Sequence, residues 1–229
     1  AYTTVDMCHG ARLPSLWASS PSFSGGTWYP DMAAHEFDHA IQFGYGFAHE
    51  FWWWEATATY IEDDVYPTHE SWSPYVSGYT QNPWMAMNAT SDTDYDRFMH
   101  MYGMAIFGFY LDQHVGGEDI VRQTWAAIEG SNEQYTTTLE DLAEELEFDW
   151  DEAYQGFMVA NTVMDYDDRE YYPPLDIERT VGALPTDGDS SAGTTPESHG
   201  QNYIRFDTDE ALDDDTASDD DSQPTVDYL

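Results

Sequence analysis

Apolar residues recur at helical spacing in several separate stretches, and this pattern predicts a chain built mainly of helices. The first runs from Asp31 to about Phe43, with Pro30 standing where a helix begins and Gly44 and Gly46 supplying a stop. A second is predicted from about Glu50 to Val65, closed by Pro67. After a looser, Pro-containing stretch, Tyr95 to Val115 reads as one long apolar helix ending at Gly116-Gly117. Glu118 to Glu129, Leu139 to Leu146 and Trp150 to Val163 complete the helical set. Strand character is confined to the two ends. Ala1 to Val5 is a short strand-like run followed by a Gly, Ser and Pro-rich stretch, and Asn202 to Phe206 alternates at period two. That second run reads either as the opening of a further β-domain or as an edge strand on this one. Tyr171-Tyr172-Pro173-Pro174 breaks the helical pattern, and from about Pro185 the composition shifts to Gly, Ser, Thr and Asp. The fold class expected is therefore α+β and mostly α. A helical domain over residues 1–185 has a short N-terminal β element, and an acidic segment over 186–229 enters β structure.

Composition changes this picture in one respect. Of the 229 residues, 41% are hydrophobic and 16% aromatic, enough to build a core. Against this, 45 acidic residues, 28 Asp and 17 Glu, face six basic ones, all Arg, for a formal net charge of -39. Such a surface repels phosphate backbones and anionic headgroups, which excludes nucleic-acid binding and electrostatic membrane binding as functions. An Asp-rich chain without Lys resembles proteins of extreme halophiles, where a Debye length of about 3 Å near 1 M salt removes the self-repulsion. The acidity is not a tail effect, because residues 186–229 carry only 13 of the acids and one Arg. The run Asp213 to Asp221 reads as solvated tail. Cys8 is the single cysteine, so no intrachain disulfide forms. No run of 18 apolar residues predicts a transmembrane segment. The chain opens Ala-Tyr-Thr-Thr-Val rather than with Met, as a processed or excised piece does.

Chemistry enters with His35-Glu36-Phe37-Asp38-His39, an HExxH pattern on the first predicted helix. Positions i and i+4 differ by about 40° in direction and about 6 Å along the axis, so both imidazoles can meet one metal ion. Glu36, one residue on, is near enough to deprotonate a water there without ligating. From this chain's own His and Glu frequencies, roughly 0.02 accidental matches are expected. Ionisable groups among Met32, Ala33, Ala34, Phe37, Ala40 and Ile41 also need partners, and a metal supplies them. Zinc requires a third protein ligand. The metzincin continuation wants Gly at 42 and His at 45, where the chain has Gln42 and Tyr45. Glu55, fifteen intervening residues beyond His39 and on the second predicted helix, is the preferred third ligand; His49 and Glu50 are nearer alternatives in the Gly-rich turn. Glu62 lies on the same helical face as Glu55 and is a candidate for the outer nitrogen of a ligating histidine, with Asp63 as substitute.

HEFDH followed by WEATATYIED resembles the gluzincin zinc metallopeptidases, whose aminopeptidase N-like members carry HExxH and then a Glu-Gly-Phe-Ala-Thr-Tyr-x-Glu type segment. Ala58, Thr59, Tyr60 and Glu62 match that segment. More broadly, the order His-Glu-Phe-x-His-Ala-x-Gln, Trp-x-Glu-Ala-Thr-Ala-Thr and a Tyr-Gly helix resembles secreted metallopeptidases of bacteria and archaea. The close match covers about residues 30–67. Its implications are a zincin-like catalytic domain, Zn2+ held by His35, His39 and Glu55, a protein or peptide substrate, and action outside the cell. The Gly-x-Met-Glu-Asn segment of aminopeptidases is missing upstream of His35, so the expectation is an endopeptidase. The thermolysin-like Glu-x-x-x-Asp is also absent, since position 59 is Thr.

The mechanism implied has Glu36 as general base and a donor for the oxyanion from a later helix. Tyr102, beside Gly103, is the candidate for that donor, ahead of His114 and His69. Asp92, Asp94 and Asp96 alternate like the start of an EF-hand loop for Ca2+, but Arg97 replaces the turn glycine and Gly103 the closing glutamate. The competing classes are a catalytically silent binding module on the same scaffold and a zinc hydrolase of non-peptide substrates.

Overall fold

A computed structural model describes residues 28–130, 136–177, 179–181 and 195–206. The expected N-terminal strand at Ala1 to Val5, Cys8 and the acidic run from Asp213 lie outside the described residues. The chain divides into two units, one formed by residues 1–176 with 194–202 and the other by 177–193 with 203–229.

The first unit is helical. Its centre is α2, Phe51–Val65, which buries Trp52, Trp53, Trp54, Ala56, Ala58 and Tyr60 and so has no solvent side over most of its length. A helix buried all round must be covered on every face, and α1 (Trp28–Tyr45), α4 (Tyr95–Gly103) and α5 (Ala105–Tyr110) pack against it. Trp53, Phe107 and Phe157 interlock edge to face, with Phe107 and Phe157 ring centres 5.0 Å apart. Burial of a side chain such as Phe107 contributes about 1.5–3 kcal/mol. No helix among the described residues is long and apolar enough to cross a membrane.

Three elements depart from the expected set. Ser73–Thr80 forms α3 inside the Pro-containing stretch, because Pro74 occupies the first turn, where a missing N–H costs nothing. Gly78 and Gly103 then let α3 and α4 touch through their backbones. A Cβ on Gly103 would come within 2.6 Å of Tyr79 N, and one on Gly78 would collide with the Met99 carbonyl. Gly103 therefore serves helix contact. The single helix expected from Tyr95 to Val115 is interrupted at Met104, whose ψ of -1° ends α4, and continues as α5 and a π-helical turn, Leu111–Gly116. Beyond it α6 spans Ile120–Ala127, α7 Leu139–Leu142 and α8 Trp150–Val163. α7 is shorter than expected but carries a capping box, with Thr138 and Asp141 each receiving a hydrogen bond from the other's backbone. Residues 195–202 return to this unit, where Glu197 pairs with Arg97 and the Gln201 amide oxygen accepts from Tyr79 at 2.8 Å.

The second unit contains β1 (Arg179–Val181) and β2 (Ile204–Phe206), parallel partners with Thr180 opposite Arg205. The alternating run at 202–206 is thus a strand at its end.

Candidate metal centre

α1 and α2 meet in a seam where ionisable side chains are buried. His35 and His39 are one helical turn apart on α1, at 7% and 4% exposure, and Glu55 on α2 is at 1%. The Nε2 atoms of both imidazoles face the same Glu55 oxygen, Oε2, at 3.3 Å for His35 and 3.5 Å for His39. In a tetrahedral zinc site with bonds of about 2.0–2.1 Å, neighbouring donor atoms lie about 3.3–3.4 Å apart. The two separations fit that edge. The three donor atoms lie within 4.8 Å of one another, and no other group of three such residues meets this condition among the described residues. The second Glu55 oxygen, Oε1, is buried without a hydrogen-bond partner, a further sign that the protein atoms alone do not complete the cluster.

Each histidine is also gripped from behind. His35 Nδ1 donates to Glu62 Oε1 at 2.9 Å, and His39 Nδ1 donates to Gln42 Oε1 at 2.7 Å. With both Nδ1 atoms engaged, the Nε2 atoms are the ones turned to the common point, which is the tautomer a metal needs. Gln42 is held in turn, its amide donating to Asp38 Oδ2 at 2.6 Å, to Thr57 Oγ1 at 3.0 Å and to the Trp54 carbonyl at 3.1 Å. Glu62 stands where the sequence expectation puts it. Gln42 is an addition of the structure, and its only signal in the sequence is a glutamine three residues past His39 on the same helix.

Electrostatics follows from the enclosure. Burial pushes the His35 imidazole toward neutrality, but hydrogen bonds and charge from Glu55 and Glu62 outweigh it and bring its pKa up to about 10. Burial works against the Glu55 anion as well, yet the two histidines hold it well below the usual carboxylate range. Burial raises Asp38 to about 6 against the opposing pull of His39, His35 and Gln42. The pocket thus carries a deficit of positive charge that is met either by a proton on His35 or by a metal cation.

Glu36 is half-buried next to His35 on α1. Tyr102, on α4, is buried with its ring stacked on that of His35, centres 5.8 Å apart and planes 22° from parallel. His49 lies away from the cluster, bonded through Nε2 to the Thr124 carbonyl at 2.9 Å, and Glu50 accepts from Trp52 and Asn88. Asp63 accepts from the Trp72 indole rather than from a histidine. His114 bonds to the Asp165 carbonyl and His69 to Asp31. Asp94 caps α4, accepting from the Asp96 and Arg97 amides. Asp92, Asp94 and Asp96 do not form a converging group among the described residues.

No protein-family model matches this chain, and comparisons with curated proteins and with solved structures find no match to it.

Proposed function

We propose that the chain is a zinc-dependent hydrolase of peptide bonds with a zincin-like catalytic unit of the gluzincin kind, an endopeptidase acting outside the cell in high salt. The observation that carries this reading is the approach of His35 Nε2 and His39 Nε2 to one Glu55 oxygen, at 3.3 and 3.5 Å, with both Nδ1 atoms already engaged. His35, His39 and Glu55 would hold the ion, which when bound supplies Lewis acidity toward a carbonyl and lowers the pKa of water to about 7. Glu36 takes the proton of the attacking water and passes it to the departing amine nitrogen as the C–N bond breaks. Tyr102, packed on His35, donates to the carbonyl oxygen as negative charge gathers there. Glu62 and Gln42 keep the two imidazoles oriented throughout. The strongly acidic composition, without Lys, supports the high-salt setting.

The test is metal analysis with casein digestion in molar salt. Near-stoichiometric zinc and hydrolysis removed by a chelator are expected. Glu36→Gln is expected to keep the zinc while lowering kcat/KM by about 10²–10⁴-fold. Stoichiometric zinc without any turnover of casein would instead favour the silent module or a hydrolase of other substrates.

A further inference from the structure

Behind Glu62 the hydrogen bonding continues outward through residues that the zinc reading does not use. Ser71, in the loop between α2 and α3, places its hydroxyl against two carboxylates, 2.6 Å from Asp31 Oδ2 and 3.4 Å from Glu62 Oε2. Asp31 lies in the first turn of α1, is fully buried, and receives His69 Nδ1 at 2.7 Å on its other oxygen. His69 comes from the same loop as Ser71 and is partly exposed, its ring stacked on Tyr66 with centres 5.2 Å apart. The connected order is His69, Asp31, Ser71, Glu62, His35. It ties the start of α1 to the end of α2 and reaches from the protein's surface to a nitrogen of the metal cluster.

The energetics explain why such an arrangement is needed. Glu62 has one oxygen on His35, and without a second contact its side chain could swing about that single bond. A buried carboxylate at 0% exposure such as Asp31 is expensive unless each oxygen has a donor, and here His69 and Ser71 supply one each. Asp31 is thereby fixed and Ser71 is fixed on it; the single Ser71 proton points chiefly at Asp31 Oδ2, and its weaker share toward Glu62 Oε2 at 3.4 Å makes the hydroxyl a stop against which Glu62 rests.

We propose that Ser71 and Asp31 are positioning residues for the metal centre, holding Glu62 on His35 Nδ1 and so aiming His35 Nε2 at Glu55, with His69 anchoring Asp31. This rests on the metal reading above. It predicts that the loop of residues 66–72, which contributes no ligand, tunes metal affinity.

The experiment measures zinc affinity by competition with a chromophoric chelator on the whole chain in molar salt, for wild type, Ser71→Ala, Ser71→Thr and Asp31→Asn. Partners behind a ligating histidine are worth about 10–100-fold in affinity. About tenfold weaker binding is expected for Ser71→Ala and at least that for Asp31→Asn, with wild-type affinity kept by Ser71→Thr, which retains the hydroxyl. Ser71→Ala is the decisive variant if Asp31→Asn fails to fold. The His35 Nδ1 proton is followed in parallel by nitrogen-edited NMR on metal-free protein. It should be protected from exchange in wild type and lose that protection in Ser71→Ala. Tight zinc binding by wild type with unchanged affinity in Ser71→Ala overturns the relay and leaves the metal reading intact. Absence of zinc binding in wild type overturns the metal reading, and the relay is then decided by the proton alone: loss of protection in Ser71→Ala supports it, and unchanged protection ends it.

Discussion

His35 and His100 are both withdrawn from water, at 7% and 0% exposure, yet their proton affinities lie far apart. Burial disfavours the cation in each case. For His35, Glu55 and Glu62 reverse the effect and the pKa rises to about 10. For His100, in the α3–α4 contact, neither ring nitrogen has a hydrogen-bond partner, and burial reinforced by the nearby Arg97 takes it down to about 4 against a weaker pull from Glu197. One seam aims carboxylates at its histidines and becomes a candidate site. The other surrounds its histidine with Tyr79 and backbone and leaves it a neutral filler of the core. A buried histidine in an apolar helix therefore carries no function by itself; the carboxylates that the next helix presents decide.

The largest effect separating the two seams is expected from Glu55→Ala, which removes the oxygen common to both Nε2 atoms. Zinc binding by chelator competition should fall by well over about 100-fold, more than the loss of any outer partner produces. His100→Leu should leave zinc affinity unchanged. Equal losses in the two variants would show that the seams do not differ in the way described.

A second measurement addresses His100 from the side of stability. Its folded pKa lies below its ordinary value of 6.5, so between about pH 4 and 6.5 the unfolded chain binds the proton more tightly. The contribution is fully present above about pH 6.5 and is lost as pH falls, by about 2 kcal/mol between pH 7.5 and 5. The charged and titratable groups facing the ring are Arg97, Glu197 and Tyr79. Urea melts in molar salt should show wild type weakening over that interval by this amount more than His100→Leu. Parallel curves for the two proteins would mean that the His100 ring is reached by water or by a partner.

The difference between the seams was half legible in the sequence. HExxH gives its own geometry, since a four-residue spacing on a helix leaves two side chains on one face, and Glu55 followed from the length of the connecting turn. The mostly helical character followed from periodicity. What escaped were contacts made across helices. Asp31, Ser71 and His69 are joined across 38 and 40 residues, and no local pattern announces them; Gln42 sits three residues past His39, but its hold on Trp54 and Thr57 crosses to the next helix. α3 escaped because Ser-Pro and an internal glycine read as a loop, while the reason for Gly78 is the backbone of α4. The break at Met104 escaped because an apolar run looks the same whether one helix carries it or two.

A third effect concerns protons at the candidate metal centre. In the metal-free protein His35 keeps its extra proton up to about pH 10, so its contribution to stability is full below about pH 6.5 and disappears as pH rises toward 10. Metal binding has the opposite sign. The proton occupies Nε2, the atom that faces Glu55, and must leave when a cation arrives. Zinc affinity should therefore rise about tenfold per pH unit between pH 6 and 8, and isothermal titration in two buffers of different ionisation enthalpy should return about one proton released per zinc. A pH-independent affinity with no buffer-dependent heat would mean that His35 is already neutral before the metal arrives. Glu55 and Glu62 would then not hold the charge that sets this seam apart from His100.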